Sequence, residues 1–287
     1  MREVSTVLVV GSGLMGSGIA QVAAQAGYDV TVVDTSSEAL VAASGRIASS
    51  LIRLVRSGRL TEGQARAAET RLRMTTELES AARGADLVIE AIIEELEPKQ
   101  ELFAKLGNWC DADVVLATNT SQFQIERVAE ECLHPERVIG MHWSNPPPLM
   151  MLVEIILADG TSQTTLEATK KYLADNDREH VVCLKDVPGF ISNRLSTVLF
   201  MEAARLVDEG IAEPEDIDSV ARLMYGHKMG PITTLDLAGL DTALKVSTAL
   251  SEYYGGDRFT PPPILARLVA EGRYGRKTGS GFYEDAS

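Results

Sequence analysis

Cysteine is scarce, with three in 287 residues. Cys110, Cys132 and Cys183 are odd in number, far apart and never in a Cys-x-x-Cys pair. That excludes a disulfide framework and a zinc cluster, so no metal is expected and a reducing cytoplasm is the expected location. Positive charge is in deficit: 27 Lys and Arg face 41 Asp and Glu, for a net charge of −14. Such a field repels phosphate backbones and anionic lipid heads, so no nucleic-acid partner is expected. Long hydrophobic runs are absent; none approaches the ~20 residues of a membrane span. Met1 leads directly into the β-branched stretch from Val4 to Val10, with neither an export signal nor a membrane anchor in view. Internal repeats and low-complexity segments are lacking too. What remains is 45% hydrophobic and 24% charged, the make-up of an ordinary folded protein. At ~150 residues per domain its length fits two domains.

In the first half, short apolar β-rich runs alternate with longer helical patterns, which is how a parallel sheet with crossover helices reads. Strands are expected at 5–10, 29–33, 72–75, 87–91, 114–118, 138–141 and 152–157. Nearly all of these residues are apolar, as in strands covered on both faces. Thr35 with Glu38 and Thr61 with Gln64 have capping-box spacing, predicting an inserted helical pair that starts at Ser36 and Glu62. The fold class is therefore α/β, a doubly wound sheet over residues 1–186. After Val181 to Leu184, the Pro188-Gly189 pair breaks the chain. Beyond it apolar residues recur at helical spacing, predicting an all-helical domain over 187–287 with helices around 214–225, 241–253 and 263–271. About a hundred residues in a few helices bury little surface alone. A homodimer is expected, with Leu195, Leu199 and Leu206 on the paired stripe.

Gly11-Ser12-Gly13-Leu14-Met15-Gly16 follows the first strand and opens a helical stretch, the required setting for a Gly-x-Gly-x-x-Gly dinucleotide motif in a Rossmann-type sheet. Gly11 permits the tight turn, Gly13 lets the backbone approach a pyrophosphate, and Gly16 allows helix to pack on strand. The amides at Leu14 and Met15 belong to a helix N-terminus that favours phosphate. Asp34 closes the second strand about 20 residues later, where a ribose-binding acid belongs. Its charge repels a 2′-phosphate, which argues for NAD over NADP. The competing reading of Asp34 is a helix-capping acid before Thr35.

The chain also strings together VIEAIIE, ATNTS, VIGMHWSNP, LVE, KDVPGFISNR, MGP and GLD, in that order. In these it resembles the 3-hydroxyacyl-CoA dehydrogenase family, particularly its short bacterial 3-hydroxybutyryl-CoA members, over nearly its whole length to the segment from Gly275 to Tyr283. The resemblance implies NAD-dependent interconversion of a short-chain 3-hydroxyacyl-CoA and its 3-oxoacyl-CoA. His142 takes the catalytic histidine's place and Glu154 that of its carboxylate partner. Ser121 and Asn193 match the polar groups that hold substrate beside the nicotinamide, and Asn145 a supporting asparagine. For the cofactor, Glu94 and Lys99 match a pair after the fourth strand, Asn119 lies near the nicotinamide ribose, and Lys277 reaches in from the tail. Ser50 matches a serine that contacts the CoA adenylate.

These residue types suit the chemistry. Oxidising a secondary alcohol sends a hydride to NAD and a proton to a base with a near-neutral pKa, the natural task of histidine. A carboxylate on the far ring nitrogen fixes the tautomer and supports the imidazolium. Glu154 lies in an apolar strand and needs an internal partner. The bland alternatives are a structural histidine, an edge-facing acid at Glu154, a helix cap at Ser121, a helix contact at Asn193, and a solvated acidic helix start with Lys99 as its ion-pair partner. The chain departs from the family pattern at Gln122, Trp143 and Ser144 and from Pro147 to Met151, where an expected lysine is missing. Ser57 replaces a second lysine, leaving Arg56 or Arg59 to contact phosphate. Trp143 is expected to narrow the pocket. Two other readings stay open: a relative acting on a non-CoA hydroxy acid, ring-borne alcohol or aldehyde, or a carrier-protein-bound hydroxyacyl group; and a non-catalytic NAD-binding protein.

Overall fold

The computed structural model describes residues 3–284. The chain divides into two units, the first ending at Phe190 and the second starting at Ile191. The Pro188-Gly189 break thus lies inside the first unit, because Phe190, fully buried, packs into that unit's core.

The first unit holds one eight-stranded sheet. Its strands are β1 (Thr6–Val10), β2 (Asp29–Val33), β3 (Leu72–Thr75), β4 (Leu87–Glu90), β5 (Val115–Thr118), β6 (Val138–Trp143), β7 (Leu152–Ile156) and β8 (Glu179–Cys183). They lie in the order β3-β2-β1-β4-β5-β6-β7-β8. Neighbours run parallel except β6 and β7, which are antiparallel. Around them lie α1 (Leu14–Ala26), α2 (Ser37–Arg56), α3 (Glu62–Thr70), α4 (Leu78–Arg83), α5 (Leu96–Trp109), α6 (Ile125–Val128) and α7 (Gln163–Asp175).

Alternation along each strand feeds two separate cores. Val7, Val9, Val30, Val32, Ile139 and Met141 pack against α1, α2 and α7 on one side. Leu8, Val10, Val88, Leu116 and Val138 pack against α5 and α6 on the other. Strand order reverses between β1 and β4, so the segments leaving these strands flank the crevice where ligands of open α/β sheets bind.

The helical pair is capped largely as its sequence predicts. Thr61 Oγ1 accepts from the Gln64 amide at 3.2 Å while Gln64 Oε1 accepts from the Thr61 amide at 2.9 Å, a reciprocal capping box. At α2 the cap is Ser36, one residue after the expected Thr35; its Oγ accepts from the Ala39 amide at 3.1 Å. Asp34 holds the Ser36 amide in turn, which moves the first helical residue to Ser37.

The second unit is built of α8 (Ser192–Asp208), α9 (Pro214–Leu223), α10 (Pro231–Ala238), α11 (Leu240–Tyr254) and α12 (Pro263–Ala270). Met201, Ala204, Ile232, Leu235, Leu240 and Leu265 form its core. Two buried acids pin it together. Asp218 accepts from the Ile232 and Thr233 amides that open α10 and from the Tyr283 hydroxyl; Asp236 accepts from the Phe282 and Tyr283 amides. Leu206, expected on an outer stripe, packs against this core instead.

Among the described residues no helix is long and apolar enough to cross a membrane, and no cluster of His, Cys, Asp and Glu is placed to hold a metal ion. The three cysteines are buried and form no disulfide with one another, and burial pushes the Cys132 thiol up to about 11.

Candidate functional site

β1 leads into the glycine turn. Gly11 has φ +100°, and a side chain there would meet the Ala91 carbonyl; one at Gly16 would meet the carbonyl of Gly11. Gly13 faces open space and is the N-cap of α1 with no side chain capping it. The turn is thus tight on its inner side and bare on its outer side, with the first amides of α1 at Leu14, Met15 and Gly16 beside the opening. A pyrophosphate fits such a cradle. Asp34 Oδ2 accepts from the Ser12 amide at 2.9 Å and the Ser12 hydroxyl at 2.7 Å. Its partial burial raises the carboxyl pKa, but the Ser12, Ser36 and Thr35 hydrogen bonds outweigh this and hold it below its ordinary value. Asp34 therefore remains anionic while tying the end of β2 to the glycine turn.

The antiparallel ladder of β6 and β7 sets His142 directly opposite Glu154. His142 Nδ1 lies 2.7 Å from Glu154 Oε2. The histidine side chain is 14% exposed and the glutamate 4%. One edge of the pair is thus open and the other sealed. Phe190 adds a wall, its ring centroid 5.7 Å from that of His142. Strand alternation sends Trp143 to the opposite face, where it is buried with Val153, Ile155 and the residues of α1. Trp143 therefore belongs to the core and does not narrow the pocket.

A second acid network organises the loops after β4 and β5. Glu90, fully buried at the end of β4, accepts from Lys99 Nζ at 2.5 Å and from the Thr118 hydroxyl at 2.6 Å. Lys99, equally buried, also pairs with Glu94 at 3.1 Å. Glu94 Oε1 accepts from the Thr120 hydroxyl and the Ser121 amide, both at 2.7 Å, and from the Ser121 hydroxyl at 3.3 Å. Burial pushes the Glu90 pKa up against the pull of Lys99. At Glu94 burial also acts upward, but Lys99 and the loop hydrogen bonds prevail and the value falls. Asn119 clamps β5 to β6 by accepting from the Trp143 amide at 3.0 Å. Asn145 is exposed just past β6, at a cis peptide bond to Pro146.

Between α1 and α2 lies a cleft of about 980 Å³. One wall is α2, through Ala42, Gly45, Arg46, Ser49, Ser50 and Arg53. Facing walls come from α1, including Ser17 and Gln21, and from the stretch Pro146 to Leu149. Ser50 is in place, but Arg56 is not among the lining residues. It is exposed at the end of α2, and the turn at Gly58, φ +71°, delivers Arg59 to the cleft instead. Asn193 and Lys277 belong to the second unit. Asn193 is in the first turn of α8; Lys277 pairs with Asp241 at 2.5 Å.

Sequence reasoning missed Glu90, Thr118 and Thr120, as well as Arg46 and Arg53. The signal for Glu90 was present: a charged residue closing the otherwise apolar run Leu87-Val88-Ile89 demands a buried partner.

Residues 6–187 match the NAD binding domain of 3-hydroxyacyl-CoA dehydrogenase, and residues 189–285 match its C-terminal domain. A Deinococcus radiodurans protein named probable 3-hydroxybutyryl-CoA dehydrogenase is 42% identical over 96% of this chain and 98% of its own length. The 3-hydroxybutyryl-CoA dehydrogenase of Mycobacterium tuberculosis is 38% identical over 98% of each. The crystal structure of (S)-3-hydroxybutyryl-CoA dehydrogenase from Ralstonia eutropha superposes with a TM-score of 0.94 at 35% identity, covering 99% of this chain and 100% of that one. A glycine turn, a His–Glu pair in the opposite half of the same sheet and both family domains in sequence leave one assignment: the chain belongs to the 3-hydroxyacyl-CoA dehydrogenase family.

Proposed function

We propose that this protein oxidises a short-chain 3-hydroxyacyl-CoA to its 3-oxoacyl-CoA and runs the reverse reduction, with NAD in preference to NADP. The observation that carries the reading is the buried pairing of His142 Nδ1 with Glu154. A carboxylate on Nδ1 takes that nitrogen's proton in a hydrogen bond, which leaves the lone pair on Nε2. Nε2 then removes the proton of the substrate hydroxyl as its C–H bond gives up a hydride. Glu154 stabilises the imidazolium that results. In the reverse direction the same nitrogen returns the proton to the carbonyl oxygen. Ser121 and Asn193 donate hydrogen bonds to the substrate oxygens that gain charge.

NAD, when bound, supplies the hydride acceptor. Gly11, Gly13, Leu14, Met15 and Gly16 hold its pyrophosphate, and Asp34 its adenosine ribose. Asn119, Asn145, Glu94, Lys99 and Lys277 complete its surroundings, with Lys99 acting through Glu94 because its own ammonium is buried. The CoA moiety lies along α2, past Ser50, with Arg53 and Arg59 meeting its phosphates. The working form is a cytoplasmic homodimer.

The test follows NADH absorbance with a panel of 3-hydroxyacyl-CoA thioesters, the matching free acids and a pyridine aldehyde. Turnover of the thioesters by the native protein, lost in His142→Ala, is the expected result. Faster turnover of a substrate lacking CoA favours the alternative reading, a relative that acts on a non-CoA hydroxy acid, ring-borne alcohol or aldehyde. That reading has its own support in the connection between β6 and β7, where Leu149, Met150 and Met151 are exposed and no lysine stands.

A further inference from the structure

We propose that Arg46 serves both ligand sites at once, holding the glycine turn in its cofactor-binding shape while offering its remaining N–H groups to a phosphate of the ligand in the cleft. The anion half rests on the thioester reading above. Arg46 lies on α2, whose stripe Leu40, Ala43, Ile47, Leu51 and Leu54 is buried and fixes the helix. That anchoring points the neighbouring face into the cleft, where Ala42, Gly45 and Ser49 are small and leave the guanidinium room.

Arg46 crosses from α2 to the glycine turn. Its Nη2 donates to the Ser12 carbonyl at 2.5 Å, and its Nε reaches the Ser17 hydroxyl at 3.4 Å. Each acceptor is linked to the cofactor cradle. Ser12 is held through its amide and hydroxyl by Asp34, and the Ser17 hydroxyl donates to the Gly13 carbonyl at 2.7 Å. One cation therefore fixes two successive corners of the Gly-x-Gly turn. The side chain nevertheless lines the cleft, and a guanidinium has five N–H donors. Arg46 pairs with no carboxylate among the described residues, although acids outnumber bases, 41 to 27, in the chain. A planar donor with spare N–H groups beside Arg53 and Ser50 suits a phosphate.

Three variants test this: Arg46→Ala, Arg46→Lys and Arg53→Ala. Arg53 lines the cleft without bonding the glycine turn and so reports on the cleft alone. NADH affinity is read by its fluorescence, the cleft by KM for 3-hydroxybutyryl-CoA and by competition from adenosine 3′,5′-bisphosphate, and folding by thermal melts. Losing a hydrogen bond to a charged donor weakens binding about tenfold or more. Arg46→Ala should weaken NADH and raise the thioester KM by about that factor each. Arg46→Lys, which keeps the charge but loses the planar fork of the guanidinium, should recover most of the NADH affinity but not the bisphosphate competition. Arg53→Ala should raise the thioester KM alone.

If Arg53→Ala raises that KM while Arg46→Ala changes only one of the two affinities, or neither, the shared role is overturned and the thioester reading stands. If neither variant affects the thioester or the bisphosphate, the thioester reading fails and takes the anion half of the proposal with it. A folded Arg46→Lys protein that behaves as Arg46→Ala toward NADH would refute the loop-fixing half.

Discussion

His142 lies in a strand, so its position is set by a ladder and its ring by one acid. Removing the ring should cost the ~10²–10⁴-fold in kcat typical of a general base. His142→Ala should leave NADH affinity near native, because the glycine turn is held by other bonds. Glu154→Gln keeps the shape but also offers an amide donor to Nδ1. It should lower kcat by a similar order, and a near-native kcat in either variant would refute the pair. Asp34 gives a second test. Its carboxyl is held below the ordinary value, so the stability it contributes is fully present above the unfolded value of ~4 and is lost as pH falls through the lower folded value. The stability gap between the native protein and Asp34→Asn should therefore be level from neutral pH to about 5 and shrink in more acid solution. Chemical denaturation at stepped pH measures it. The same variant should also narrow the NAD preference, since the charge that opposes a 2′-phosphate is gone.

The elements show where local pattern suffices. Seven of the eight strands, all but β8, and the box at Thr61 were legible because β-branched runs and a Thr-x-x-Gln spacing act over a few residues. Thr61→Ala, which removes one half of that box, should cost about 1 kcal/mol in urea denaturation. The direction of β7 was not legible. An apolar strand covered on both faces reads alike in either direction, and only the short connection from Ser144 to Met151 hints that the chain turns back. That antiparallel step is what puts Glu154 opposite His142, so the central contact of the site rests on a feature hidden from periodicity. α10 was missed for another reason: Pro231-Ile232-Thr233-Thr234 is poor helix sequence, and its first amides are held by Asp218 from α9. Arg46 and Arg53 belong to no motif in the sequence, and only the cleft gives that face of α2 a purpose.

For the molecule, the proposed homodimer yields a prediction that rests on the surface of the second unit. Leu195 on α8 is 70% exposed, with Val198 and Leu199 partly exposed beside it; Leu223, Met224 and Tyr225 at the end of α9 are exposed as well. Leu206, by contrast, is spent on the unit's own core. A chain with a net charge of −14 repels its own copies at long range, so association has to come from short-range apolar burial that outweighs a screened repulsion. Two copies meeting on the same patch around a two-fold axis satisfy this, since each exposed side chain finds its equivalent or a neighbour. Added salt weakens the repulsion and leaves apolar burial intact, so the dimer should tighten, not dissociate, between low and physiological ionic strength. Sedimentation at several protein concentrations should show a dimer. Leu199→Asp buries a charge at the contact and should shift the population toward monomer without lowering the thermal midpoint of the first unit. A native chain that sediments as a monomer at every concentration and salt would place the interface elsewhere or nowhere. A dimer that loosens as salt rises would mean that charge pairs, not this apolar face, hold it together.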